Sequence, residues 1–162
     1  MANETWPDIA RRALDAPDDV RAQIAAAYHC DAHRTEEEAI VYYDRAAKLG
    51  VPEDAQPGFS IGYGSTLKNV GRVQESAAVL KEAARVHATN RAIQAFLALT
   101  QLASADANGA VATLLRTLLS LKAHDDEVNA YARALESYTE ELETASRVHR
   151  SALCAGPDDP SS

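Results

Sequence analysis

Two short stretches carry residue types at spacings that could do chemistry. Gly58-Phe59-Ser60-Ile61-Gly62 matches G-x-S-x-G, the pattern in which a sharp strand-to-helix turn projects a serine toward a histidine and an oxyanion hole. The residues before it, Val51-Pro52-Glu53-Asp54-Ala55-Gln56-Pro57, are polar and proline-flanked and do not read as a strand. A hydrolase using Ser60 is therefore the remote reading. The structural alternative puts Gly58 near a helix start and makes Gly62 a point of close approach for a neighbour. Gly62-Tyr63-Gly64 is no dinucleotide fingerprint, because Leu67 stands where the third glycine belongs.

The second stretch, His29-Cys30-Asp31-Ala32-His33, sets His29 and His33 one helical turn apart, a metal-ligand spacing. Cys30 falls on a position turned inward, and no third ligand is located, so the pair reads as a solvated face with no metal and no cofactor. His87, His124 and His149 lie near expected helix ends, where imidazoles can bond orphan carbonyls.

The 162 residues suffice for one domain with a sizeable core. With 24 acidic against 16 basic side chains the net charge is −8, and no basic cluster exceeds Arg11-Arg12. Such a surface repels phosphates and argues against nucleic acid and anionic membrane as partners. No apolar run is long enough to span a membrane or serve as a signal peptide, so a cytoplasmic location is expected. Two cysteines, Cys30 and Cys154, make neither a disulfide framework nor a zinc site.

The elements that must position these residues are helices. Apolar periodicity predicts a short helix over 6–15, with Thr5 as cap and Pro7 in the first turn. Helices are predicted next from Asp18–Asp19 to about Ala32, and from Glu36 to Leu49, the latter stopped by Gly50 and Pro52. A pair follows from Asp54 or Pro57 to Val70 and from Val73 to about His87, joined at Gly71. A third pair spans Arg91–Ser104 and Ala110–Lys122, with a break near Asp106-Ala107-Asn108-Gly109. One long helix over 125–150 closes the chain, with Val128, Tyr131, Ala132, Leu135, Tyr138, Leu142 and Ala145 on its apolar side. Residues 156–162 are expected to be disordered.

Ala39, Ser76 and Ala110 recur at intervals of 37 and 34 residues. The middle unit carries Tyr63-Gly64-x-x-Leu67, Gly71, then Ser76, Leu80 and Ala83; the first carries Ala26-Ala27-x-x-Cys30, Ala39, Tyr43 and Ala46; the third carries Leu97-Ala98 and Ala110-x3-Leu114. A helix-turn-helix period of 34 residues with small residues at the crossings resembles the tetratricopeptide repeat family, in particular compact bacterial members with three repeats. Departures are Gln23, Ser60 and Gln94 where the motif often opens on an aromatic, and Gln101 and Thr117 in the third unit.

The resemblance implies an all-α, right-handed superhelix of three antiparallel helix pairs (18–52, 54–88 and 90–122) between capping helices at 6–15 and 125–150, in a single domain over 1–155. It further implies a non-enzymatic interaction scaffold that holds a partner peptide or helix on the concave face lined by first helices. The register nominates Ile24, Tyr28, Asp31, Ile61, Ser65, Lys68, Asn69, Phe96, Leu99 and Leu102 for that face. The family's carboxylate-clamp positions hold Ile24, Tyr28, Gly62, Ala92 and Phe96 instead, which disfavours capture of an acidic C-terminus. The face is mostly apolar around a polar island at Lys68 and Asn69. It suits an apolar or amphipathic segment, and equally it could serve as helix packing. The alternative function is self-association, as a homodimer through the concave face or the C-terminal helix.

Overall fold

A computed structural model describes residues 5–154 and is helical. Its elements are α1 (Trp6–Asp15), α2 (Val20–His33), α3 (Glu36–Leu49), α4 (Gln56–Asn69), α5 (Val73–Val86), α6 (Arg91–Ala103), α7 (Ala107–Leu119) and α8 (Asp126–Cys154). The tail expected to be disordered lies outside the described residues. The chain divides into two compact units, Met1–Ile93 and Gln94–Ser162, with the division inside α6.

Caps and glycines place the boundaries. Asp19 accepts from the Arg21 and Ala22 amides to start α2, and Thr35 accepts from the Glu38 amide to start α3. Thr5 does not cap α1 with its side chain; its hydroxyl donates to Asp8 instead. Gly50 and Gly71 adopt φ of +88° and +84°, a region where glycine meets no Cβ clash. They end α3 and form the α4–α5 turn.

In the N-terminal unit, α2 packs on α3 and α4 on α5, with α4 also touching α2 and α3. Tyr43 of α3 is fully buried at the centre, in ring contact with Tyr28, Phe59 and Tyr63. Its room comes from Gly62: a Cβ there would lie 2.1 Å from the Tyr43 hydroxyl. Gly58, one turn earlier on α4, similarly admits the Tyr28 hydroxyl, 3.2 Å from where its Cβ would be. The small residues of the repeat do the same between α4 and α5. A Cβ on Gly64 would meet Leu80 at 2.6 Å, and the Ser76 hydroxyl donates to the Gly64 carbonyl at 2.7 Å.

Helix α1 covers α2 through Ile9, Ala13 and Ala26. Gln23, standing where the motif often has an aromatic, donates through Nε2 to the Ala13 carbonyl at 2.7 Å. It thereby satisfies a helix-end acceptor that would otherwise be buried without a partner.

In the C-terminal unit α7 and α8 pack lengthwise, and α6 meets α7 where the Thr113 hydroxyl donates to Gln101 Oε1 at 2.8 Å. Two sequence expectations are corrected here. Helix α7 begins at Ala107 rather than Ala110, because Asp106 is not loop but N-cap, accepting from the Gly109 amide at 2.9 Å. Helix α8 buries Val128 and Ala132 of the expected side, with Leu135 and Leu142 partly buried, but Tyr131 and Tyr138 of that side are 69% and 60% exposed, and Thr139 and Ser146 are buried in their place. At these two positions small size and satisfied hydroxyls set the inward face, Thr139 donating to the Leu135 carbonyl and Ser146 to Asp106. Because α8 continues to Cys154, His149 sits within the helix instead of capping its end, and its Nε2 is buried with no hydrogen-bond partner among the described residues.

The two glycines of Gly58-Phe59-Ser60-Ile61-Gly62 should respond differently to a methyl group. Gly62→Ala must displace a fully buried ring and should destabilise by about 1–3 kcal/mol. Gly58→Ala displaces only the tip of a half-exposed side chain and should be neutral or stabilise by at most about 1 kcal/mol. Urea unfolding of both variants checks the contrast.

Candidate functional site

The residues nominated for the inner face fall into two groups, one in each unit. In the N-terminal unit α2 contributes Ile24, Tyr28 and Asp31, and α4 contributes Ile61, Ser65, Lys68 and Asn69. Ile24 is buried in the core, which leaves little of it to meet a ligand. Tyr28 is 40% exposed, Asp31 and Asn69 are exposed, and Ile61, Ser65 and Lys68 are partly so. In the C-terminal unit α6 contributes Phe96, partly exposed, and Leu99 and Leu102, exposed by 51% and 58%.

The α2–α4 group rests on a polar layer that the sequence did not reveal. Asp31 accepts from the Tyr43 hydroxyl at 3.3 Å, and the Thr66 hydroxyl lies 3.2 Å from its other oxygen and 2.9 Å from the Gly62 carbonyl. These contacts tie α2, α3 and α4 together directly beneath the exposed side chains. Lys68 donates to Asn69, and Asn69 to Glu36 at the start of α3, so the polar island is a chain linking α4 to α3. Arg21 Nη2 donates to the Asp54 carboxylate, 3.0 Å from each oxygen, both groups exposed. The usable signal in the sequence was the i, i+4 spacing of Gly58 and Gly62, which marks a helix face that admits two bulky neighbours.

Burial shapes the ionisation of the tyrosines below this face. Desolvation raises the Tyr43 phenol far above its ordinary value, with the Asp31 and Tyr28 charges adding to it. Tyr63 is pushed up to about 12 by burial and by its 2.8 Å hydrogen bond to Asp44. Asp44 also holds Arg72 at 2.7 Å, and Arg72 in turn grips Glu75.

Ser60 lies within α4 and is buried, so the sharp turn that its motif requires is not formed there. It lines a groove of about 610 Å³ on the other side of α4, between the end of α3 and the end of α5, with Phe59, Tyr63, Val79 and His87. His29 stacks on Trp6 at 5.0 Å, its ring tilted 53° from that of His33 at 4.9 Å, while Arg34 sits 4.9 Å over the Trp6 ring. Among the described residues, no three His, Cys, Asp or Glu side chains converge as metal ligands. No helix among those residues is long and apolar enough to cross a membrane.

A model of the tetratrico peptide repeat family matches residues 20–142. Comparison with curated proteins and with solved structures gave no match.

Because Tyr43 and Tyr63 hold their protons more tightly when folded, their stabilising effect is complete below pH 10 and is lost as the pH rises through the folded values. Urea midpoints should therefore fall between about pH 10 and pH 12, and Tyr63→Phe should reduce the drop. An unchanged midpoint across that range would contradict the burial of these phenols.

Proposed function

This chain belongs to the tetratricopeptide repeat family, and we propose that it is a non-enzymatic protein-interaction module whose α2 and α4 faces hold an apolar or amphipathic partner segment. The observation that carries the proposal is the mixed surface on which Tyr28 and Asn69 are exposed and Ile61, Ser65 and Lys68 partly exposed, above a cross-linked polar layer. Here an aromatic ring and an aliphatic side chain lie next to donors and acceptors held in place by their neighbours, the composition in which recognition anchors are found.

The roles divide by chemistry. Tyr28 and Ile61 supply contact area, and Tyr28 does so at low entropic cost, since its hydroxyl already rests over Gly58. Lys68 and Asn69 fix polar orientation. Leu99 and Leu102 give α6 an exposed apolar face of its own, suited to the same class of segment. Members of this family typically act as interaction modules rather than catalysts, in keeping with Ser60 inside a helix.

Self-association is the second reading, favoured by Tyr131, Tyr138 and Val148 exposed along α8. Light scattering at high micromolar concentration separates the two, a monomer removing the dimer.

For the primary reading, partners captured by the native chain should be lost when Tyr28→Ala and Lys68→Ala are combined. The loss should exceed roughly tenfold in affinity, as for truncation of interface anchors. The same partners recovered undiminished by a variant that melts like the native chain would sink the proposal.

A further inference from the structure

The C-terminal unit carries an open cavity of about 240 Å³ whose wall holds Arg116 of α7 and Arg147 and Arg150 of α8, with Gln101, Thr113 and Ser146 between them. Two carboxylates stand against these three cations. Glu143 pairs with Arg116, and Asp106 accepts from Arg150 at 2.7 Å and from Ser146 at 2.8 Å. Among the described residues Arg147 has no carboxylate partner; it donates to the Thr144 hydroxyl at 2.9 Å. A guanidinium has five N–H donors, so the pairs formed by Arg116 and Arg150 leave further donors unspent. In a chain of net charge −8, the balance around this cavity is positive.

We propose that this cavity binds a single oxyanion group, a phosphate or a carboxylate, with Arg147 and Arg116 as its ligands and Arg150 as the fixed third cation. Planar guanidinium forks suit both anions, which they hold by paired charge-assisted hydrogen bonds. The volume is below the ~300 Å³ at which pockets for whole small molecules begin, a size that seats one charged group. Preorganisation comes from Asp106. Burial alone would raise its pKa, but the Gly109 amide, the Ser146 hydroxyl and Arg150 outweigh this and hold it below the ordinary value. It therefore stays anionic and keeps Arg150 in place before any ligand arrives. The cavity is built from α7 and α8 with one residue of α6, and its occupancy does not depend on the reading given for the α2 and α4 faces.

The test is an NMR titration of the full chain with sodium phosphate and separately with sodium acetate, each at ionic strength held constant with chloride. Saturable shifts are expected at the Gly109 and Thr113 amides and at the Nε–H signals of Arg116 and Arg147. Arg147→Gln should weaken binding by about tenfold, the effect of one lost charge-assisted hydrogen bond, while Arg85→Gln on α5 should leave it unchanged. Arg116→Gln serves as a second variant should Arg147→Gln alter the melting curve. Saturation by both anions marks a site open to acidic side chains as well as phosphate; saturation by phosphate alone marks a phosphate site. The absence of saturable shifts with either anion, or shifts that survive both substitutions, overturns the proposal.

Discussion

The structure of the N-terminal unit depends on one close contact, the Tyr43 hydroxyl resting where a Gly62 side chain would be. A tyrosine this large can be fully buried between helices only if the facing backbone yields space, and only if its hydroxyl finds an acceptor there. Gly62 provides the first condition and Asp31 the second. Once Tyr43 is seated, Phe59 and Tyr63 pack against it, and α2, α3 and α4 take up fixed positions around one ring. Leu80 over Gly64 and Ser76 on the Gly64 carbonyl repeat the device between α4 and α5.

That constraint also decides what remains at the surface. Glycines 58 and 62 share one side of α4 and accept the tyrosines of α2 and α3, while Ile61, Ser65 and Lys68 stay partly exposed. Asp31 lies at the junction, its carboxylate committed below to Tyr43 and Thr66. The side chains around Asp31 are thus tied to the same contacts that close the core.

Helix order and most boundaries were legible in the sequence because capping residues and glycines act locally: Asp19, Thr35, Gly50 and Gly71 mark their ends without help from distant residues. The repeat interval and the small residues at 39, 64, 76 and 83 likewise located the helix crossings. What was not legible depended on partners far away in the chain. Asp106 looked like loop until its caps on Gly109 and its bonds to Ser146 and Arg150 were visible. The inward face of α8 was misjudged because Tyr131 and Tyr138 outweigh Thr139 and Ser146 in any hydrophobic pattern, although the smaller residues permit closer approach. Gln23 looked like a defect in the repeat and proved to hold the end of α1. Of the nominated face, Tyr28 and Ile61 are at the surface while Ile24 is in the core, a difference that helical register cannot resolve, since 24 and 28 share a side of the same helix.

The most direct measurement is site-specific photocrosslinking in native extract, with the reactive group placed in turn at Ser65 on α4 and at Arg45 on the exposed side of α3. If the α2–α4 face holds the partner, a discrete crosslinked product forms from position 65, disappears when Tyr28→Ala is added, and is absent from position 45. Crosslinking from position 45 with none from position 65 would contradict this account.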